Sequence, residues 1–170
     1  MPIASILSHT PIWVWILLAY LLLRGIKALQ PREIRPSRVL VLPVIFFVWA
    51  LFGIFGELTD WPTALLAFAV GLATGFAGGW ANATRLPVAT LDRATGLMWR
   101  PGSATTLVLV IVAFVAKYVL SVLLAVQPHL GAEVMFAALF GGVSGLADGA
   151  FWGGTALHFR RAFASRAAVD

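Results

Sequence analysis

Residues 133–157 have the sequence EVMFAALFGGVSGLADGAFWGGTAL, an apolar stretch with one acidic residue, Asp148, well inside it. About 20 helical residues cross the roughly 30 Å hydrocarbon core of a membrane, so this stretch is long enough to span one. Four earlier stretches meet the same criterion. The five predicted spans cover residues 11–29, 38–56, 61–80, 105–126 and 133–157.

The composition of the whole chain agrees with a membrane protein. Of its 170 residues, 61% are hydrophobic and 11% are charged, whereas about a quarter of the residues of a soluble domain are charged. We therefore predict a single all-α polytopic transmembrane domain over residues 1–170. The chain has no cysteine, which excludes disulfides, thiolate metal sites and cysteine nucleophiles.

The basic residues predict the orientation of the chain. With five spans, the segments of one side hold eleven lysines and arginines, and the charged residues of the other side are Glu57, Asp60 and Glu133. Basic segments face the cytoplasm, which predicts an outward N-terminus and an inward C-terminus, N-out/C-in. The net charge of +5 is then a topology signal that indicates anionic lipid of the bilayer as a partner, and no nucleic acid. The eleven residues are Arg24, Lys27, Arg32, Arg35, Arg38, Arg85, Arg93, Arg100, Arg160, Arg161 and Arg166.

The connection of residues 81–102 is the longest loop between predicted spans. Short extended runs flank a turn from Asp92 to Gly96. This pattern predicts a small β-hairpin on the cytoplasmic surface. An irregular interfacial loop is the alternative.

The starts of the second and fourth spans resemble each other. Arg35-Pro36-Ser37 precedes one, and Arg100-Pro101-Gly102-Ser103 precedes the other. The similarity predicts a parallel two-helix repeat. In it, the helices of spans 2–3 match those of spans 4–5 about an axis along the membrane normal. Apolar helices also resemble each other through composition alone, and that alternative stays open.

Glycines recur at every fourth residue of the third and fifth spans. This spacing makes a flat groove on one helix face, where a second backbone can approach closely. We predict that the glycines pack helices within the fold, with a pore lining as the alternative. A glycine face left free would bind a second copy, which predicts a homodimer. The glycines are Gly71, Gly75, Gly79, Gly141, Gly145, Gly149 and Gly153.

Lys117 lies midway along the fourth span, and Asp148 lies inside the fifth. A lysine at the centre of a membrane costs on the order of 3 kcal/mol, so it should face the bundle and have a partner. Counting 1.5 Å per helical residue places the two side chains within reach of each other. We expect an intramembrane Lys117–Asp148 pair, which either serves an ion, proton or small-anion route or fixes the helix register.

The histidines and the catalytic motifs give weaker signals. His9, His129 and Glu133 fall on the outer side and form a candidate site for zinc or another divalent ion, with histidines that simply face water as the alternative. No histidine lies deep enough for a haem between helices, and the sequence identifies no cofactor. Hydrolase, metalloprotease and phosphate-loop motifs are absent from the sequence, so we expect no enzymatic activity.

Four short motifs resemble those of other proteins: His9-Thr10-Pro11, Asp92-Arg-Ala-Thr-Gly96, Pro101-Gly102-Ser103 and Lys117-Tyr118. On these residues the chain resembles small uncharacterised bacterial inner-membrane proteins, distantly similar to the CcdC-type proteins once linked by name to cytochrome c biogenesis. The resemblance implies a multi-pass protein of the bacterial cytoplasmic (inner) membrane. It implies no established activity and no site residue.

Two classes of function are consistent with these observations. The first is a small transporter or channel-like binder with Lys117 and Asp148 on the route of an ion or small anion. The second is a non-catalytic accessory or maturation protein that scaffolds a protein partner in the membrane. A water-filled cavity that reaches Lys117 favours the first class, and a dry, closed bundle favours the second.

Overall fold

A computed structural model describes residues 12–87, 90–92, 95–100 and 102–167, without the side chains of residues 13, 91, 100 and 163–167. Most of the described residues are helical. In chain order the elements are α1 (Ile12–Lys27), β1 (Arg32–Ile34), α2 (Pro36–Val39), α3 (Val41–Glu57), α4 (Trp61–Thr84), β2 (Thr90–Leu91), β3 (Met98–Arg100), α5 (Ala104–Val126), a 3-10 helix (Pro128–Ala132) and α6 (Val134–Ala167).

Three helices of the described part are long and apolar enough to cross a membrane. They are α4, α5 and the segment Val134–Ala162 of α6. Helix α3 is apolar but has 17 residues, and α1 has 16. The chain is therefore rich in membrane-type helices, while a total of five spans remains a prediction for α1 and α3.

The second predicted span is not one continuous helix, because the chain breaks at Leu40 between α2 and α3. Pro43 explains the break. Its ring would collide with the carbonyl of Val39, four residues earlier, and it has no N–H to donate. The N–H of Leu40 instead donates to the carbonyl of Ser37 at 3.3 Å, and the helix resumes when the N–H of Val44 donates to Leu40 at 3.0 Å.

Helices α4 and α6 both extend past the predicted ends of their spans. No glycine or proline follows the fifth predicted span in residues 158–167, so nothing ends α6 before Ala167. Arg161 on this extension donates to the carbonyls of Ala83, Thr84 and Leu86 at 3.3–3.4 Å. A basic side chain that binds the last carbonyls stabilises a helix end, which accounts for the extension of α4 to Thr84.

Helices α4 and α6 lie parallel, in backbone contact along their glycine faces. A Cβ added to any of the seven predicted glycines would overlap main-chain atoms of the other helix. Gly145 faces the carbonyl oxygen of Phe68, and Gly149 faces that of Leu72, so both helices advance four residues together. The absence of side chains allows an approach in which dispersion contacts hold the two backbones together.

The loops define two ends of the bundle. At the first, the N–H groups of Thr59 and Asp60 donate to the carbonyl of Gly131 at 2.8 and 3.2 Å, which joins the α3–α4 loop to the 3-10 helix. Asp60 also caps α4 by accepting from the N–H of Thr63 at 3.4 Å. We call this the loop end. The opposite end carries the sheet, and we call it the sheet end.

The sheet has three antiparallel strands in the order β1-β3-β2. Strands β2 and β3 form the hairpin expected from residues 81–102, whereas β1, which pairs Glu33 with Trp99, was not predicted. Met98 of β3 is buried against Val39 and Ala162. The sheet therefore packs against α2 and against the C-terminal part of α6. Arg93, inside the predicted turn, lies outside the described residues.

Candidate functional site

Lys117 and Asp148 lie between two apolar cores. On α5, Phe114 belongs to the core nearer the sheet end and Leu120 to the core nearer the loop end, and Lys117 is placed between them. The side chains of Lys117 and Asp148 are 4% and 0% exposed. The structure thus brings the two predicted residues together in the middle of the bundle.

The Lys117 ammonium contacts two other helices. Its Nζ lies 3.5 Å from Oδ2 of Asp148 on α6 and donates to the carbonyl oxygen of Phe46 on α3 at 2.8 Å. The same Nζ lies 5.5 Å from the ring centroid of Phe46 and 5.7 Å from that of Trp49. These are cation–π distances. Two aromatic faces and one main-chain carbonyl therefore stabilise the Lys117 ammonium in addition to the Asp148 carboxylate.

Two buried oxygen atoms beside the pair have no hydrogen-bond partner among the described residues. They are Oδ1 of Asp148 and Oγ of Ser144, and both residues are 0% exposed. Ser144 lies four residues before Asp148 and so shares its helix face. Buried polar groups are nearly always hydrogen-bonded. Both oxygens can therefore accept from a water molecule or contact a cation, and the carboxylate oxygen of Asp148 can also bind a proton.

A cavity of about 230 Å³ lies at the sheet end of the bundle. Elements α2 to α6 all contribute to its lining, and apolar side chains such as Leu42 and Leu109 form much of its wall. Polar side chains lie on the same lining. They are Asn82, Ser103, Thr105, Thr106, Thr155 and His158.

A pair of stacked rings connects the cavity lining with the surroundings of the charged pair, because Phe46 also lies beside the Lys117 ammonium. Phe151 lines the cavity, and its ring stacks on Phe46 with centroids 5.0 Å apart and planes at 25°. Asp148 lies three residues before Phe151, and neither Asp148 nor Lys117 belongs to the described lining. Asp148 and the lining residue Phe151 are therefore separated by less than one helical turn, roughly 5 Å along the axis of α6.

The cavity and the charged pair lie along one face of α6. Ser144, Asp148, Phe151, Thr155 and His158 follow each other at spacings of four, three, four and three residues, and all five are buried. Such spacing keeps side chains on one helix face. Sequence reasoning identified only Asp148 in this row. The spacing of its polar members was the signal that could have revealed the others.

The predicted metal site is not assembled in the described part of the chain. Nε2 of His129 lies 3.7 Å from Oε1 of Glu133, and their side chains are 66% and 54% exposed. His9 lies outside the described residues. Within those residues, no three His, Asp or Glu side chains cluster as metal ligands, whereas a zinc site takes three or four protein ligands.

The glycine rows do not form part of this site. Both glycine faces are used in the α4–α6 contact within one chain, so neither supplies the free face on which the homodimer prediction was based. The close helix packing expected from the glycines is thus found between α4 and α6 of the same chain. The oligomeric state stays a prediction without that support.

The fold and its centre define a protein rich in membrane-type helices, with a buried charged pair and a cavity at one end. The chain belongs to the family of unknown function DUF6622, whose profile matches residues 1–169. It is 37% identical over 92 residues to an uncharacterised protein of Pasteurella multocida (strain Pm70), a match that covers 54% of this chain and 70% of that protein. No solved structure matches the chain. These matches agree with the expected uncharacterised bacterial family and do not show the link to CcdC-type proteins.

Proposed function

We propose that this protein binds and passes a small ion or small anion in the membrane, and that Lys117 and Asp148 lie on the route. The observation that carries the proposal is that the cavity is lined by Phe151, three residues along α6 from the buried Asp148. Ionisable residues inside a membrane are expensive and most often mark an ion or substrate pathway. A cavity beside such a residue supports that role.

The loose geometry of the pair also supports a role in binding. The contact of 3.5 Å between Lys117 and Asp148 is longer than the about 2.8 Å of a direct charge-assisted hydrogen bond. A pair that only fixes helix register is most stable when every donor and acceptor is satisfied. Here Oδ1 of Asp148 has no partner in the described part. Lys117 can therefore release Asp148 to a ligand and keep the carbonyl of Phe46.

The rings of Phe46 and Phe151 serve as the gate in this proposal. Phe151 lines the cavity, Phe46 lies beside the Lys117 ammonium, and both belong to the core nearer the sheet end. A change of the Phe151 rotamer would connect the cavity with Asp148. The ring pair thereby excludes water from the charges while the route is closed.

We further propose that the chain crosses a bacterial inner membrane five times, N-out/C-in. The basic residues support this orientation, since Arg24, Arg38 and Arg161 lie at the sheet end and the acidic Glu57 and Asp60 lie at the loop end. The cavity then faces the cytoplasm. The parallel repeat, in which predicted spans 2–3 match predicted spans 4–5, stays part of the proposal. The route does not need it.

A second candidate is the accessory role, in which the bundle holds a partner complex. The specific observation in its favour is the closed centre. Counted as whole residues, Lys117 and Asp148 are 3% and 0% exposed, and neither belongs to the described cavity lining. In that case the pair fixes the packing of α5 and α6. In both cases we propose a non-enzymatic protein, since the sequence contains no catalytic motif.

Single cysteines test the route without background labelling, because the chain has none. In membrane vesicles, a small water-soluble methanethiosulfonate should label Ser144→Cys, though more slowly than Ser103→Cys in the cavity. Adding Phe151→Ala should raise the labelling rate of Ser144→Cys, because the smaller side chain opens the ring pair. Ala137→Cys is the matched control, since Ala137 is also 0% exposed but lies in the core nearer the loop end.

The control variant should remain unlabelled in the membrane and react fully after denaturation. If Ser144→Cys is as unreactive as Ala137→Cys, with and without Phe151→Ala, water does not reach the pair from the cavity. That result would contradict the route and favour the accessory role.

A further inference from the structure

Ser103 occupies the N-cap position of α5 without capping it. Its backbone is extended, with φ −146° and ψ 116°, as an N-cap requires, but its side chain makes no cap hydrogen bond. Its backbone N–H donates to the carbonyl of Ala28 at 2.8 Å. The residue is 8% exposed, and its Oγ has no hydrogen-bond partner among the described residues. This buried hydroxyl lines the cavity and remains available there.

The first turn of α5 lines the same cavity through Thr105 and Thr106. The first four N–H groups of a helix have no acceptor within the helix. The aligned peptide dipoles of the 23-residue α5 also place a partial positive charge at this end. The Ser103 side chain does not accept from these N–H groups, so its hydroxyl and the main-chain donors of Ala104 and Thr105 lie at the same end of α5, beside the cavity. Such helix ends bind anions.

The charges around the cavity favour an anion over a cation. None of the described residues that line it is acidic. The Arg161 guanidinium donates to the carbonyls of Ala83 and Leu86, two lining residues, so its positive charge lies beside the cavity. Thr155 and His158 add further buried polar groups to the lining.

The size and wall of the cavity restrict the ligand further. Its volume of about 230 Å³ is below the roughly 300–1,000 Å³ of pockets for drug-sized molecules. Leu42, Leu109 and Phe151 give an apolar wall opposite the polar groups. A small ligand with an anionic head and a short apolar part matches both properties.

We propose that the cavity binds the anionic head of a small amphiphile, a carboxylate or a phosphate, at the N-terminus of α5. Ser103 Oγ and the N–H groups of Ala104 and Thr105 are the donors to the head group. The apolar part lies against Leu109 and Phe151. This site does not depend on the proposed route, since an anion can bind here whether or not an ion passes the Lys117–Asp148 pair.

The test uses the full chain in phosphatidylcholine nanodiscs, titrated separately with butyrate and with inorganic phosphate. A third sample replaces part of the lipid with phosphatidic acid. Binding should shift the amide NMR signals of Ala104, Thr105 and Thr106. In Ser103→Ala the dissociation constant should rise about tenfold or more, because a hydrogen bond to a charged group is lost. Ser121→Ala is the matched control, as Ser121 is a half-buried serine of the same helix α5 outside the described cavity lining.

Ser103→Thr keeps the hydroxyl and should retain binding, and Thr155→Val tests a second lining hydroxyl if Ser103→Ala does not fold. Shifts with butyrate or phosphate in pure phosphatidylcholine identify a soluble anion, and shifts only with phosphatidic acid identify a lipid headgroup. Both support the site. Absence of shifts with all three probes, or equal affinity of Ser103→Ala and the native chain, would overturn it.

The two proposals fail separately. Anion binding without labelling of Ser144→Cys would leave this site in place and contradict only the route.

Discussion

The ammonium of Lys117 lies closer to the main-chain carbonyl oxygen of Phe46, at 2.8 Å, than to the carboxylate of Asp148, at 3.5 Å. Lys117 therefore has an acceptor that no side-chain substitution on α6 can remove. Asp148 has no comparable second partner in the described part of the chain, where its Oδ1 is unsatisfied. The two charges are unequally dependent on each other, and this difference can be measured.

Removal of either charge should destabilise the protein, and removal of both should restore much of the loss. A stranded buried charge costs about 3–5 kcal/mol, whereas replacing both partners with apolar residues of similar volume is close to neutral. We expect low unfolding free energies for Lys117→Met and Asp148→Leu and a near-native value for the double variant. Reversible denaturation in detergent measures all three.

The structure adds an order to the single variants. Lys117→Met should destabilise more than Asp148→Leu, because the lysine that remains in the latter keeps Phe46 as an acceptor. Lys27→Met, at an exposed position near the sheet end, controls for loss of a positive charge and should change stability by less than about 0.5 kcal/mol. If both single variants match the native stability, the pair is not a buried contact and each residue faces water.

Two glycines of α6 that are three residues apart should respond very differently to one added methyl group. A Cβ on Gly145 would overlap the carbonyl oxygen of Phe68, whereas a Cβ on Gly142 meets nothing within 4 Å. Gly145→Ala should therefore lower the unfolding free energy by about 1–3 kcal/mol, the usual effect of overpacking. Gly142→Ala should change it by less than about 0.5 kcal/mol. Equal effects in the same denaturation experiment would contradict the α4–α6 contact.

Much of the fold could be predicted because its determinants are periodic. Apolar length indicated α4, α5 and α6, and the four-residue glycine spacing indicated the faces that meet. The break at Leu40 depends on one proline whose effect is local, so the sequence predicts a bend more readily than two helices. Strand β1 has three residues and pairs with β3 across a long stretch of chain. The residues next to β1 in the sequence give no information about a partner strand so far along the chain.

The candidate site was predictable only in part, for a related reason. Lys117 and Asp148 attract attention because a charge in an apolar span is costly wherever it lies. The carbonyl of Phe46 is a main-chain atom that every residue has, so only the packing of α3 on α5 selects it. Serine is a common N-cap residue, and nothing in the sequence around Ser103 indicates that its hydroxyl faces a cavity instead of capping α5.

Labelling of exposed cysteines in intact cells tests the proposed orientation. Gln30 lies near the sheet end and His129 on the 3-10 helix of the loop end, and both are exposed. An impermeant maleimide added outside should label His129→Cys, and should label Gln30→Cys only after the membrane is permeabilised. The reverse pattern would invert the topology and place the cavity on the outer side.

The central claim is that the cavity gives access to a contacting Lys117–Asp148 pair, and carbodiimide coupling in the native chain tests it most directly. A water-soluble carbodiimide activates the carboxyl of Asp148, and attack by Lys117 Nζ forms an amide while the reagent leaves as a urea that carries the oxygen. We predict a cross-linked peptide joining residues 117 and 148, lighter by one water, formed faster in Phe151→Ala than in the native protein. Coupling by a membrane-permeant carbodiimide alone, with no effect of Phe151→Ala, would contradict access from the cavity.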